Sequence, residues 1–578
     1  MRKKPISTRK SISTNTRHLL LVVLISAAVI APAMVFGIPS SRDLSSHFRL
    51  AQPFFDGIRS GHLYPGWLAE SNSGYGDASF RFYPPGTHYL LAAFRLLSGN
   101  WYLGTLLVFT LLSMVGSLGV YFWAREFLPS QNAMWASVFY ALAPYHLNQL
   151  YQSFLLPEFA GAAVLPFVFL FVERVCRWGA PRDVAGLAIS SGALGFTHLP
   201  LTINASIALA AYALVRLEHG KKWFTVLRLA FASILGLAAS ACYWTTMVAE
   251  LKWIRADNIQ PEPSVNYRLN FLLSSFSPEN LNVWWMNILL LSSLAMFWPA
   301  VACFWSARRV ATSEFSIRAL KATIVVLALT LFMATPLSLA IWNLLPTLQA
   351  TQFPWRWLLI TSLAGSVLLA AAIPYWEDAV RRGNRKLVMI AAGTIAVSLA
   401  FSASHIVREA QWLSRPVFEK TLSEIRGSQG SPQWWPIWVK EPIRNMDSPV
   451  EAGGREVTVI SWLPELRTFH LGPGAAGEAR VRTFFYPHWR AESDGRNLAV
   501  RPDSDGALLI SVPANALSIN LRFQEPPRVW VARVVCVVGW ILIGALFFLG
   551  ARQSMRFKPP SVSTDYTSQQ SSNLKSKT

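Results

Sequence analysis

The chain has 578 residues, of which 52% are hydrophobic and 14% charged, and it carries a formal net charge of +21. Soluble domains contain about 25% charged residues, so this composition excludes a soluble enzyme and points to an integral membrane protein too long for a single core. The basic residues lie between apolar runs and form no basic–aromatic module, which sets nucleic acid aside as a partner and places the positive loops beside anionic lipid.

Residues 1–17 form a basic tail, followed by an apolar run over 18–38. That run is longer than a signal-peptide core and is followed by Pro39-Ser40-Ser41-Arg42, a poor cleavage site, so it reads as an uncleaved first span. Residues 39–100 are polar, aromatic and rich in Gly and Pro. Asp43 and His47 are four apart and share one helical face, where a carboxylate and an imidazole can move a proton on a substrate at the membrane surface. The plainer role for Asp43 is to cap a short helix. Gly74-Tyr75-Gly76-Asp77 and Phe82-Tyr83-Pro84-Pro85 close the loop, with Asp77 and Tyr83 as substrate-binding candidates. Such a loop more often only folds over a site.

Further apolar runs near 101–123, 132–150, 157–175, 184–199, 201–217, 224–247, 284–305, 320–344, 357–376, 387–404 and 529–550 bring the expected total to about twelve spans. The stretch 184–217 is interrupted at His198-Leu199-Pro200 and reads either as two short helices or as one kinked helix. Basic residues cluster at alternate connections: Arg125; Arg174, Arg177 and Arg182; Arg216, Lys221 and Lys222; Arg308 and Arg309; Arg381, Arg382, Arg385 and Lys386; Arg552, Arg556 and Lys558. The positive-inside rule then puts both termini in the cytoplasm and the segments 39–100, 151–156, 248–283, 345–356 and 405–528 outside. Within 405–528, alternating runs at 456–460, 480–484, 508–512 and 517–523, with turns at Asp494-Gly495 and Asp505-Gly506, predict an extracytoplasmic antiparallel β-sandwich. The expected fold is thus a polytopic all-α membrane bundle over 18–404, a β-rich domain over 405–528, a last transmembrane helix over 529–550 and a disordered cytoplasmic tail over 551–578.

Ionisable groups in or capping spans are costly in lipid and are functional candidates by default. Glu158, His198 and Glu250 sit at predicted outer span ends, with Arg356 just outside the next pair, all on the side of the 39–100 loop. Each could instead cap a helix or bond a neighbouring span. Arg356, between Trp355 and Trp357, suits a lipid phosphate at head-group depth; the alternative is an aromatic belt with a snorkelling Arg. The four cysteines, Cys176, Cys242, Cys303 and Cys536, lie in or beside apolar runs without metal spacing or a disulfide pattern, and read as small core residues. No metal ligands are assigned.

Taken together, Asp43-Leu44-Ser45-Ser46-His47, Gly61-His62-Leu63-Tyr64-Pro65-Gly66-Trp67, Gly74-Tyr75-Gly76, Phe82-Tyr83-Pro84-Pro85, Gln352-Phe353-Pro354-Trp355-Arg356 and Tyr486-Pro487-His488-Trp489-Arg490 followed by Asp494-Gly495 carry a resemblance. The chain resembles the GT-C superfamily of membrane glycosyltransferases and, within it, the bacterial membrane proteins labelled 6-pyruvoyl-tetrahydropterin-synthase-related. The pterin label is not chemistry here, because the sequence has no clustered His triad for a zinc site of that enzyme type. Asp77 departs from the pattern, standing where similar chains continue with an apolar or aromatic residue. The resemblance implies transfer of a sugar from a polyprenyl-phosphate donor, drawn from membrane lipid, to an unidentified acceptor on the outer face of a bacterial cytoplasmic membrane. It assigns no cofactor but leaves room for a divalent cation. Asp43 would be the base, with His47 orienting or sharing the proton, and Arg356 would hold the leaving phosphate. The competing class is a non-catalytic transporter or flippase of lipid-linked envelope precursors, although the paired broken helices usual for transporters are not visible. A structural scaffold presenting the β-domain leaves the long aromatic first loop unexplained.

Overall fold

A computed structural model describes residues 13–41, 43–217, 222–254, 265–277, 279–310, 313–430, 434–440 and 443–556. The basic stretch 1–12 and the tail 557–578 lie outside the described residues. Among the described residues, nine helices are long and apolar enough to cross a membrane: Trp101–Arg125, Leu156–Arg177, Leu199–Arg216, Lys222–Ala239, Asn282–Val310, Glu314–Met333, Pro354–Arg381, Arg385–Glu409 and Pro527–Arg552. Three of the twelve expected runs, 18–38, 132–150 and 184–199, do not form one of these helices. The run 18–38 divides into Thr14–Ala28 and Ala31–Phe36. The run 132–150 divides into Ser130–Ala141 and Pro144–Tyr151, because Pro144 has no N–H to continue a helix and disfavours helical backbone at Ala143. The 184–217 stretch is two helices, Pro181–Thr197 and Leu199–Arg216, separated by an extended His198. At the bundle centre, the first turns of the Trp357–Arg381 helix are buried on every face.

The first loop is mostly structured. Leu44–Arg59 is an amphipathic helix that buries Leu44, His47, Phe48, Ala51, Phe54 and Phe55, the spacing of one apolar stripe. It leads through a looped stretch into a second helix, Gly86–Ser98. Strand β1 (Ile38–Ser40), at the entry to the loop, pairs antiparallel with β2 (Gln411–Leu413), just beyond the Arg385–Glu409 helix. Gly37 is required at this junction: its φ is +118°, and a Cβ there would come within 2.3 Å of the Leu413 carbonyl oxygen.

The C-terminal region folds as two antiparallel sheets. One has the order β3 (Val450–Glu451), β6 (Gly477–Phe484), β10 (Ala507–Val512), β9 (Val500–Pro502). The other has the order β4 (Val457–Trp462), β5 (Leu466–Leu471), β11 (Leu517–Phe523), β7 (Trp489–Ser493), β8 (Arg496–Leu498). Side chains alternate strictly between buried and exposed along β7 and β11, as expected where one face of a sheet covers a core. Asp494-Gly495, both with positive φ, forms the β7–β8 turn, the backbone a two-residue hairpin needs. The same core takes in the first loop: Trp67 packs on Trp489 and Phe523, with ring centroids 5.5 and 5.4 Å apart, and the Phe484 N–H donates to the Tyr75 carbonyl at 2.7 Å. The sheets therefore roof the loop.

Candidate active site

Asp43 occupies the N-cap position of the Leu44–Arg59 helix, but its side chain makes no capping hydrogen bond. Burial first, then the Asp43 charge, push the Tyr83 phenol above its ordinary range, while Arg356 opposes the shift. His47, one turn along, points the same way, its ring 6.5 Å from Tyr83 and 6.4 Å from His88. Burial pushes the His47 imidazole down to about 4, against a hydrogen bond to the Phe154 backbone, so the ring is neutral at pH 7. Its Nε2 has no hydrogen-bond partner among the described residues.

A second group of side chains meets these from the spans. Glu158 lies in the first turn of Leu156–Arg177, where the helix dipole favours a carboxylate. Its Oε1 accepts from the Tyr145 hydroxyl at 2.8 Å and the Gln149 amide at 3.0 Å. Tyr145 and Gln149 are four apart and share one face of the Pro144–Tyr151 helix. The Glu158 Oε2 lies 3.2 Å from Arg356 Nε and 4.0 Å from His198 Nε2. Arg356 ends a 3₁₀ turn, Pro354–Arg356, immediately before the central helix. Its Nη1 donates to the Thr351 carbonyl at 2.6 Å and its guanidinium lies 4.7 Å from the Phe353 ring centroid. Its Nη2 is bonded to none of the described residues. His198 caps the Leu199–Arg216 helix, its Nδ1 accepting from the Leu201 N–H at 3.1 Å; an accepting Nδ1 leaves the ring proton on Nε2, toward Glu158. Burial, with Arg356 and His47 nearby, holds His198 well below its usual range.

This cluster adjoins an apolar cavity of about 360 Å³ lined by Leu187, Leu194, Leu199, Leu209, Tyr243 and Trp244, among others. Leu199 follows His198 in sequence, the His198 N–H donates to the Leu194 carbonyl at 3.0 Å, and the Tyr243 hydroxyl donates to the Phe82 carbonyl at 2.9 Å.

Two of the expected site residues are elsewhere. Glu250 is fully buried in a knot of donors. Its Oε1 accepts from Arg81 Nη2 at 2.8 Å, His488 Nε2 at 2.9 Å and Arg528 Nη2 at 2.8 Å. Its Oε2 accepts from the Tyr486 hydroxyl at 2.7 Å and from Arg81 Nε. Burial alone would raise the Glu250 carboxyl, but hydrogen bonds from Arg81 and His488 hold it well below the usual carboxylate range. Arg81 also grips Glu525, with Nη1–Oε1 at 2.7 Å and Nη2–Oε2 at 2.9 Å. Glu250 therefore joins the first loop to the β-sheets and does not line the cleft with Glu158. Asp77 is buried too, accepting from the Ser79 N–H at 2.5 Å, and it holds the turn of its own loop. Trp355 and Trp357 are buried, 6% and 0% exposed, so Arg356 does not sit between head-group indoles; its partly buried guanidinium pairs with the buried Glu158.

Sequence reasoning overlooked Tyr145, Gln149 and His88. The signal for the first two was present, as polar side chains four apart inside an apolar run and close before Glu158. Arg81 offered no signal, because its two carboxylate partners are 169 and 444 residues away. Among the described residues, no three His, Cys, Asp or Glu side chains gather to hold a metal ion, and Glu158 is already engaged by Tyr145, Gln149 and Arg356. That donor set does not fit a divalent cation.

The likenesses to solved structures are remote. ArnT from Cupriavidus metallidurans, bound to undecaprenyl phosphate, aligns at 13% identity and a TM-score of 0.42, over 71% of this chain and 75% of that one. The arabinofuranosyltransferase AftD from Mycobacteria aligns at 18% identity and a TM-score of 0.43, over 69% of this chain and 27% of its own much longer chain. The arabinosyltransferase EmbB from Mycobacterium smegmatis aligns at 12% identity and a TM-score of 0.37, over 91% of this chain and 66% of that one. No curated protein matches the sequence significantly. The family model described as "6-pyruvoyl-tetrahydropterin synthase related domain; membrane protein" matches residues 80–411, from just before Tyr83 through Arg356. That match covers more than half of the 578 residues, and the chain belongs to the 6-pyruvoyl-tetrahydropterin-synthase-related family of membrane proteins.

Proposed function

We propose that the protein is a membrane glycosyltransferase, moving a sugar from a polyprenyl-phosphate donor to an acceptor on the outer face of a bacterial cytoplasmic membrane. The observation that carries this reading is the meeting of a proton-transfer group and a cation, with an apolar cavity whose lining includes Leu199, next to His198. Asp43, His47 and Tyr83 come from the first loop, and Arg356, Glu158 and His198 from the spans. The apolar cavity beside them has the chemistry for an isoprenoid tail. The alternating basic connections support a cytoplasmic location for both termini and an external one for residues 405–528.

In this reading the Asp43 carboxylate takes the proton from the acceptor hydroxyl as its oxygen bonds to the anomeric carbon. The bond from that carbon to the phosphate oxygen breaks, and charge grows on the leaving phosphate. Arg356 faces that charge. Its Nε is paired with Glu158 across 3.2 Å and its Nη1 is bonded to the Thr351 carbonyl, a preorganised frame for the cation. His47, kept neutral by burial, orients Asp43 or receives the proton onward. The membrane brings the lipid-linked donor to the site, which supplies proximity.

The test is transfer from a polyprenyl-phosphate sugar pool by wild type and by Asp43→Asn, with a melting curve for each. Loss of a general base typically costs roughly 100- to 10,000-fold in rate, whereas Asn is about as good an N-cap as Asp, so folding should hold. A well-folded Asp43→Asn protein with full activity removes Asp43 from the mechanism. Lipid movement without any transferred sugar, in wild type and variant alike, favours a transporter.

A further inference from the structure

Cys242 is the second residue of the Ala241–Glu250 helix, and Cys536 lies on the final helix, Pro527–Arg556. Their sulfurs are 3.7 Å apart. Both thiols are only partly buried. The reason they meet is the interruption between two helices at Ser240. The Lys222–Ala239 helix stops at Ala239, leaving a carbonyl without an intrahelical donor. The last helix supplies two donors to that one oxygen, Cys536 Sγ at 2.9 Å and Trp540 Nε1 at 3.1 Å. The approach is close: a Cβ on Gly539 would come within 3.0 Å of the Ala239 backbone nitrogen. Tyr64 and Tyr89 of the first-loop region lie near Cys242, and Arg533 stands one turn from Cys536, so the pair is at the end of the bundle that carries the loop.

We propose that Cys242 and Cys536 are a thiol pair that closes to a disulfide and fastens the last helix to the Ala241–Glu250 helix beneath the first loop. The sulfurs, 3.7 Å apart, must close by about 1.6 Å to reach the ~2.05 Å bond. The oxidant is a disulfide. One cysteine thiolate attacks it and releases a thiol, the second cysteine thiolate displaces the other half, and two protein thiols plus R–S–S–R become one protein disulfide plus two R–SH. The link would join the helix that ends at Glu250 to the helix whose first turn carries Arg528. It would therefore staple both sides of the knot around Arg81.

The experiment uses the full chain purified in detergent, treated with oxidised glutathione, quenched with N-ethylmaleimide and measured by intact mass and peptide mapping. Four thiols should be alkylated before oxidation. Afterwards two should be alkylated, with a linked peptide pair containing positions 242 and 536, and dithiothreitol should restore all four. Oxidation should raise the melting temperature of wild type but not of Cys536→Ala or, if that variant fails to fold, of Cys242→Ala. Four alkylated thiols after oxidant, separate glutathione adducts without a link, or a link through Cys176 or Cys303 would each overturn the proposal. None of these readouts depends on sugar transfer, so the proposed activity stands or falls separately.

Discussion

Replacing Glu158 with Gln tests the centre of the site. Glu158 is 2% exposed, and its Oε2 lies 3.2 Å from Arg356 Nε. At an effective dielectric near 20, unit charges at that separation attract by about 5 kcal/mol. Removing one partner of a buried pair costs about 3–5 kcal/mol, because the other charge stays behind uncompensated. Glutamine keeps an oxygen for Tyr145 and Gln149 but turns an NH₂ group toward a guanidinium, donor against donor. A loss of about 3 kcal/mol should lower the melting temperature by roughly 6–12 °C, taking the 2–4 °C per kcal/mol typical of domains of 150–250 residues. The assay is a double-mutant cycle by thermal unfolding in detergent with Glu158→Gln, Arg356→Gln and both together. The double variant buries no unpaired charge, so it should lose less than the two single losses combined, by at least about 1.5 kcal/mol. Single effects that add within about 0.5 kcal/mol would refute the pairing, and with it the idea that Glu158 aims Arg356.

Other outcomes follow from the same geometry. Arg356→Lys should weaken binding of a radiolabelled polyprenyl phosphate roughly tenfold, because a fork becomes a point charge and one charge-assisted hydrogen bond of about 1.5 kcal/mol is lost; unchanged binding would leave Arg356 a purely structural cation. The pH dependence has a definite sign. His47 is depressed from 6.5 to about 4, so its contribution is complete above pH 6.5 and is lost as pH falls toward 4. The melting temperature should drop over that window and the slope should flatten in His47→Gln; an equal slope in both proteins would count against a neutral, buried His47. Lys420, exposed on the Arg415–Ile425 helix, should be extracytoplasmic, so a cysteine placed there should react with an impermeant maleimide in intact cells. Reaction only after lysis would invert the topology.

Much of the architecture was legible in the chain because local physics dictates it. Nine of the apolar runs are spanning-length helices, since backbone amides in lipid must bond within their own segment. The runs at 456–460, 480–484, 508–512 and 517–523 are strands, and Asp494-Gly495 is a hairpin turn, because the period of side-chain burial and a positive-φ pair are written into consecutive residues. The break at His198 was visible, but whether it made one helix or two depended on whether the imidazole found the Leu201 N–H. What no local rule could decide was which charge meets which. Glu158 and Glu250 look alike in sequence, each a carboxylate at a span end. One faces Arg356 beside Tyr83, and the other is consumed by Arg81, Tyr486, His488 and Arg528, because the β-sheets fold back over the first loop. Cys242 and Cys536 likewise show no pairing pattern and meet only because the last helix docks at the gap after Ala239. Helix, strand and turn are set by neighbours a few residues away. The charge of a buried group is settled by whichever side chain the tertiary fold brings within about 4 Å, where a paired ion is tolerated and an unpaired one is not.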